Sequence, residues 1–146
     1  KFGRIILSEN VDAIIKGKCC RTPQDNSIAT YYGGRKPEDG VINWQWNTEK
    51  IYNLIRAVTK PYPGAFTIFK NKKLIIWTAT KLHNSVTNTS LSKGTIQIFK
   101  GEYFVKTGDG LLKLERIEFN GTEFDLTVDK PDFIFNGSLF SQKTIK

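Results

Sequence analysis

Lysines carry most of the chemical potential of this chain: Lys70, Lys72, Lys73, Lys81, Lys93, Lys100, Lys106 and Lys113 recur through its middle and later parts. Ammonium groups on a solvent face contact phosphates with a strong salt dependence, and aromatic neighbours such as Phe66, Phe69, Trp77 and Phe104 offer faces on which bases stack, although a tryptophan inside an apolar strand, as Trp77 is, usually belongs to the core. Lys70, Lys72, Lys73, Lys100 and Lys106 form the candidate nucleic-acid-binding set. The overall balance has the matching sign, with 22 Lys and Arg against 14 Asp and Glu, a net charge of +8, as a polyanionic partner requires. Lysines on the outer face of strands also keep sheet edges soluble, and both readings stand.

A second candidate group is Tyr31, Tyr32 and Arg35. An arginine fork suits a diphosphate, and tyrosine supplies a hydroxyl donor beside a stacking face. Equally, a tyrosine pair can pin a linker beside a solvated arginine. Elsewhere the chemistry is sparse. His83 is the sole histidine, in a Leu-His-Asn-Ser-Val-Thr-Asn stretch that reads as a loop. Cys19 and Cys20 are adjacent, which gives poor disulfide geometry, and no second pair completes a zinc site; reduced structural thiols and no metal are expected. Glu38-Asp39 and Asp109 precede glycines, where turn geometry explains them, and Glu115 and Glu118 fall on opposite faces of a strand. No glycine-rich loop has phosphate-cradle spacing before a helix, and no Ser or Cys occupies a nucleophile elbow. Catalysis by this chain alone is not expected.

The elements that must position these residues are legible from period and punctuation. Leu7, Val11, Ile14 and Ile15 repeat at helical spacing, with Gly17 placed as a stop. Cys19 to Asn43 is polar and turn-rich, as a linker is. Ile51, Leu54, Ile55 and Val58 mark one face of a helix over Asn47–Thr59, capped by Asn47 or Thr48. Pro61 and Pro63 forbid its continuation and Gly64 frees the backbone for the first strand. Strands are expected at Ala65–Phe69, Lys73–Thr80, Thr95–Lys100, Tyr103–Thr107 and Leu111–Phe119. Lys70-Asn71-Lys72, Lys100-Gly101-Glu102 and Gly108-Asp109-Gly110 read as tight turns, and Leu82–Gly94 as a long loop. Five such strands predict a mainly β fold with flanking helices, a small closed OB-like barrel preceded by one or two helices. The tail Asn120–Lys146 holds Phe124, Phe133, Ile134, Phe135, Leu139 and Phe140, too apolar for disorder, and is expected to pack back, with Ser141–Lys146 frayed.

Trp44, the helix Asn47–Thr59, the segment Thr59-Lys60-Pro61-Tyr62-Pro63-Gly64-Ala65-Phe66 and the strand ending Leu74-Ile75-Ile76-Trp77 resemble the C-terminal domain of folate-dependent formyltransferases. That family includes methionyl-tRNA formyltransferase and the amino-sugar nucleotide N-formyltransferases. Pro23-Gln24-Asp25, Ala29-Thr30-Tyr31-Tyr32 and Arg35 through Trp44 resemble the family's interdomain segment. Gly108-Asp109-Gly110 resembles the turn opening its last barrel strand, and Asp132 through Gly137 its closing segment. The resemblance implies a catalytic Asn, His and Asp in an upstream Rossmann-like domain that binds 10-formyltetrahydrofolate; no residues here match that set, and no cofactor is expected on this chain itself.

On this resemblance residues 1–18 are the end of the last catalytic-domain helix, 19–45 the linker, 46–140 the OB-like domain and 141–146 a tail. Tyr31, Tyr32 and Arg35 are then substrate-binding residues along the catalytic domain of the same polypeptide. The acceptor is expected to be the amine of a nucleotide-linked sugar, because Pro37-Glu38-Asp39-Gly40, the Tyr62-Pro63 pair and the acidic Glu123 and Asp125 look closer to the sugar enzymes. A tRNA-binding domain of methionyl-tRNA formyltransferase and a free-standing OB-type nucleic-acid module are the alternatives. With 39% hydrophobic and 25% charged residues the composition is ordinary for a globular chain. No 18-residue apolar run is present, and Lys1–Lys18 lacks the pattern of a signal peptide, so no membrane partner, a cytoplasmic location and a possible homodimer are expected.

Overall fold

A computed structural model of the chain describes residues 2–19, 21–34, 36–82 and 90–141, in two units, residues 1–34 and 35–146. In the first, α1 runs over Phe2–Ile15 and stops where Gly17 adopts φ +64°, with the Lys18 amide donating back to the Ala13 carbonyl at 2.9 Å. This left-handed stop is the one the glycine predicts. Its apolar residues Ile5, Ile6, Leu7, Ile14 and Ile15 are exposed. After it comes a largely irregular stretch with a 3-10 turn at Asn26–Ile28, capped by Asp25.

The second unit is built on α2, Thr48–Val58, and six strands: β1 Ala65–Phe69, β2 Lys72–Lys81, β3 Ile96–Phe99, β4 Glu102–Lys106, β5 Leu111–Phe119 and β6 Thr122–Asp125. Asn47 caps α2 by accepting from the Lys50 amide at 2.8 Å, and Ile51 and Ile55 are buried from it. All strand pairs are antiparallel, in the order β1-β2-β5-β4-β3 with β6 on β5. Three hairpins turn through consecutive left-handed residues, Lys70-Asn71, Lys100-Gly101 and Asn120-Gly121, the backbone sense that matches strand twist.

The fold is thus mainly β with two helices, but the expected closed five-stranded barrel is not what forms. Among the described residues there are six strands, and β1 and β3 stand at the two ends of the order without pairing to one another. The tail lies between them instead: Ser141 bridges Ile68 of β1, and Leu139 bridges Thr95 at the start of β3. Non-local backbone pairing of this kind leaves no local sequence signal. β2 and β5 also carry register shifts between Ile76 and Ala79. The alternation of burial on β5 is offset after Glu115, so Glu115 and Glu118 do not occupy opposite faces as a regular strand would place them; they accept from Thr80 and Trp77 respectively. Bulges re-aim side chains in this way.

The core is aromatic at the tail's landing point. Trp44, fully buried, stacks on Phe140 at 5.6 Å, and Phe140 meets Phe69 edge-on at 5.5 Å. Phe133 continues the cluster by stacking on Phe119 at 4.8 Å. Trp77 is buried outside the main core cluster, against Gly64.

Candidate functional site

The segment ahead of Trp44, the end of α2 and the entry to β1 together form a cleft. Pro37–Gly40 is a 3-10 turn whose first amide, on Lys36, donates to the Asp39 carboxylate at 2.8 Å. Gly40 then lies so close to the chain ahead of β1 that a Cβ there would stand 2.6 Å from the Gly64 carbonyl oxygen. Opposite, α2 ends as the Gly64 amide donates to the Val58 carbonyl at 2.9 Å. Between these elements lies a cavity of about 500 Å³ lined by Pro37, Ala57, Val58, Tyr62 and Pro63, with Lys36 at its edge. Its lining is mostly apolar, and the polar side chains among the lining residues are those of Lys36 and Tyr62. Such a cleft suits a flat apolar group carrying negative charge.

The lysine set is divided by the structure. Lys70, Lys72 and Lys73 share the β1–β2 tip, where Lys70 lies over both Phe69 and Phe135 and Lys73 over Phe66. Beside this tip stands the Asn120-Gly121 turn, and Asn71, Lys72, Lys73, Glu118 and Asn120 line a groove of about 430 Å³ between the two. Lys100 belongs to the β3–β4 tip, over the exposed ring of Phe99. Lys106 is different: only 2% exposed, it is not one of the solvent-facing cations. Burial pushes its ammonium group below the usual lysine range, Lys93 lowers it further, and Asp109 partly restores it. Among the surface lysines Lys60, Lys81 and Lys113 pair with Glu123, Glu49 and Glu102, which removes part of the free positive charge.

Tyr31 and Tyr32 are 87% and 90% exposed in the first unit; Arg35 and His83 lie outside the described residues. Among the described residues no cluster of three His, Cys, Asp or Glu stands at metal-binding distance, and no helix is long and apolar enough to cross a membrane.

One constellation was not legible as such. Asp109, whose place between glycines turn geometry explains in the sequence, accepts from both the amide and the hydroxyl of Thr48 at 2.8 Å, across 61 residues. Thr48 also shares a 2.7 Å hydrogen bond with Thr107, and the Gly108 amide donates to Trp46. The Gly-Asp-Gly turn therefore clamps the first turn of α2 onto the β4–β5 connection. These Thr48 bonds hold the Asp109 carboxyl below its ordinary value. A depressed carboxylate stabilises the fold above its unfolded pKa and loses that contribution as pH falls through the folded one. Asp109→Ala is expected to cost about 1 kcal/mol, like a lost helix cap. The deficit should shrink below the unfolded value, as denaturation at neutral and acidic pH would reveal; an undiminished deficit in acid would disprove the clamp's ionic character.

Comparison with known proteins gives a family and a fold. The model of the family described as formyl transferase, C-terminal domain, matches residues 35–125. Among solved structures, a variant of HypX from Aquifex aeolicus superposes with a TM-score of 0.58 at 14% identity, covering 87% of this chain and 23% of HypX. The same protein crystallised with tetrahydrofolic acid gives a TM-score of 0.54 at 14% identity, over 83% of this chain and 21% of HypX. This chain spans about a fifth of the length of HypX.

Proposed function

We propose a function from one premise: the chain belongs to the formyl transferase, C-terminal domain family. It serves as the non-catalytic domain of a 10-formyltetrahydrofolate-dependent enzyme that formylates the amine of a nucleotide-linked amino sugar. The family match over residues 35–125 carries this reading. Folate use is supported by the tetrahydrofolic acid complex of HypX. The folate and the reacting groups belong to a separate catalytic domain, and the residues here position and enclose.

The sugar acceptor is supported by the junction cleft and by the charge around β6. Lys36 and Tyr62 stand beside apolar walls, a combination suited to a base or sugar ring linked to a diphosphate. Tyr31, Tyr32 and Arg35 are kept in this reading as substrate-binding residues on the strength of the sequence resemblance alone. β6, paired with the central strand β5, carries Glu123 and Asp125, with Glu123 engaging Lys60, and these carboxylates disfavour a polyanion on that part of the surface. The tRNA reading rests on a different observation, the Lys70, Lys72 and Lys73 cluster over aromatic rings.

A titration of the chain with tRNA at two salt concentrations separates the readings. Under the sugar reading binding is weaker than micromolar. Micromolar or tighter binding with a steep loss of affinity in salt would overturn it, because each neutralised phosphate contributes a slope of about −0.9 in log K against log salt. Formyl transfer by the complete polypeptide from 10-formyltetrahydrofolate to a nucleotide-linked amino sugar, but not to methionyl-tRNA, is the expected positive result.

A further inference from the structure

Four dipeptides place a carboxyl or carboxamide one residue ahead of a glycine amide: Asp39-Gly40, Asp109-Gly110, Asn120-Gly121 and Asn136-Gly137. With no Cβ on the following residue, that amide nitrogen can reach the side-chain carbonyl carbon and close a five-membered imide. The fold ties down three of the four. Asp39 accepts from the Lys36 amide at 2.8 Å, and Gly40 is buried. Asp109 accepts twice from Thr48, while the Gly110 amide donates to the Thr107 hydroxyl at 3.0 Å. Asn136 accepts from the Ile98 amide at 3.1 Å, and the Gly137 amide donates to the Ile96 carbonyl at 2.8 Å. Asn120-Gly121 differs on every count. Both residues are exposed at the tip of the β5–β6 hairpin, and a Cβ on Gly121 would meet nothing within 4 Å. Among the described residues neither the Asn120 carboxamide nor the Gly121 amide has a hydrogen-bond partner.

We infer that Asn120 is a self-modification site of the folded chain, converting to an aspartyl and isoaspartyl mixture with water as its only co-reactant. The Gly121 nitrogen attacks Cγ of Asn120 as its proton is lost to solvent, the carboxamide nitrogen leaves as ammonia, and a succinimide remains. Water then opens the ring at either carbonyl. Hydrolysis between Cγ and the glycine nitrogen gives aspartate in the original backbone, and hydrolysis at the main-chain carbonyl gives isoaspartate, with the backbone rerouted through Cγ. Nothing is oxidised or reduced, and each product carries a carboxylate where a neutral amide stood. Asn120 and Gly121 line the groove of about 430 Å³ that Lys72 and Lys73 border from the β1–β2 tip. Conversion therefore sets a negative group against this basic cluster and lowers its attraction for polyanions.

The purified chain is incubated at mildly alkaline pH and physiological temperature, folded and in parallel in denaturant. It is then mapped by peptide mass spectrometry, with an isoaspartyl methyltransferase detecting the isomer. In the folded chain Asn120 is expected to convert about tenfold or more faster than Asn136, where the bonds to Ile98 and Ile96 must open first. In denaturant, which removes those bonds, the two rates should come together. An acidic species should accumulate on ion exchange as ammonia is released, and Asn120→Ser should largely remove it. Equal rates at 120 and 136 in the folded chain, conversion of Asn120 in denaturant alone, or an acidic species undiminished by Asn120→Ser would overturn the inference.

Discussion

Replacing Trp44 by alanine is expected to lower the unfolding free energy by about 3–5 kcal/mol, the range for buried aromatic truncations. A domain of this size has about 5–15 kcal/mol in total, so the variant should be close to unfolding at physiological temperature. The reason is position as much as volume. Trp44 is fully buried, stacks on Phe140 of the tail, and donates from Nε1 to the Thr67 hydroxyl at 3.1 Å, while that hydroxyl donates to the Ser141 carbonyl at 3.0 Å. Three separate segments therefore depend on one indole. Trp44→Phe keeps most of the ring contact but removes the donor, and should cost about 1–3 kcal/mol for the group left without its partner. Denaturant unfolding followed by circular dichroism measures both, and hydrogen exchange at Ile68 reports whether the tail loosens. A loss under about 1 kcal/mol for the alanine variant would show that the site collapses without penalty.

How much of this was readable in advance follows from the range over which each feature is determined. Helix α2 was legible because Asn47 and the stripe from Ile51 to Val58 are local, and the cap and apolar face sit where that pattern puts them. The first two hairpins were legible for the same reason. β6 was overlooked although Asn120-Gly121 is the strongest short hairpin signal, because Asn120 reads as the start of a tail. Family membership was legible from short ordered motifs around Pro61 and Pro63, and the matched residues 35–125 include them.

What escaped was non-local. Leu139 and Phe140 were expected to pack back, but their apolar character says nothing of the strand ends they would bridge, and Ser141, expected to fray, pairs with Ile68 of β1 instead. By period Lys106 shares a face with Glu102, opposite Tyr103 and Val105, and so reads as outward-facing. Its burial depends on distant backbone, with Gly94 donating to the Lys106 carbonyl and Lys106 donating to Thr95. Asp109 looked explained by the glycines on either side, and only folding brings Thr48 to it. The cleft at Lys36 and Tyr62 likewise joins residues more than twenty positions apart, each with an ordinary local role.

Gly64→Ala tests that cleft through its backbone. Gly64 has φ +83°, and a Cβ there would stand 2.4 Å from Cγ2 of Ile75 and 2.9 Å from Cζ3 of Trp77. Two costs combine: about 1–2 kcal/mol for a left-handed residue with a Cβ, and about 1–3 kcal/mol for crowding in a packed site. Gly121→Ala isolates the first, because Gly121 has φ +76° with nothing within 4 Å of the added carbon. Alanine at 121 should therefore cost about 1 kcal/mol and alanine at 64 about 3 kcal/mol, read as denaturation midpoints at unchanged slope. Because Gly64 also donates to Val58 and receives the close approach of Gly40, relief of the clash must move the wall that Pro63 and Tyr62 give the cleft. The alanine-64 variant of the complete enzyme is then expected to lose acceptor affinity where the alanine-121 variant does not. Equal stability losses at the two glycines would mean that β1 and β2 yield freely around residue 64, and that the cleft is not held by its packing.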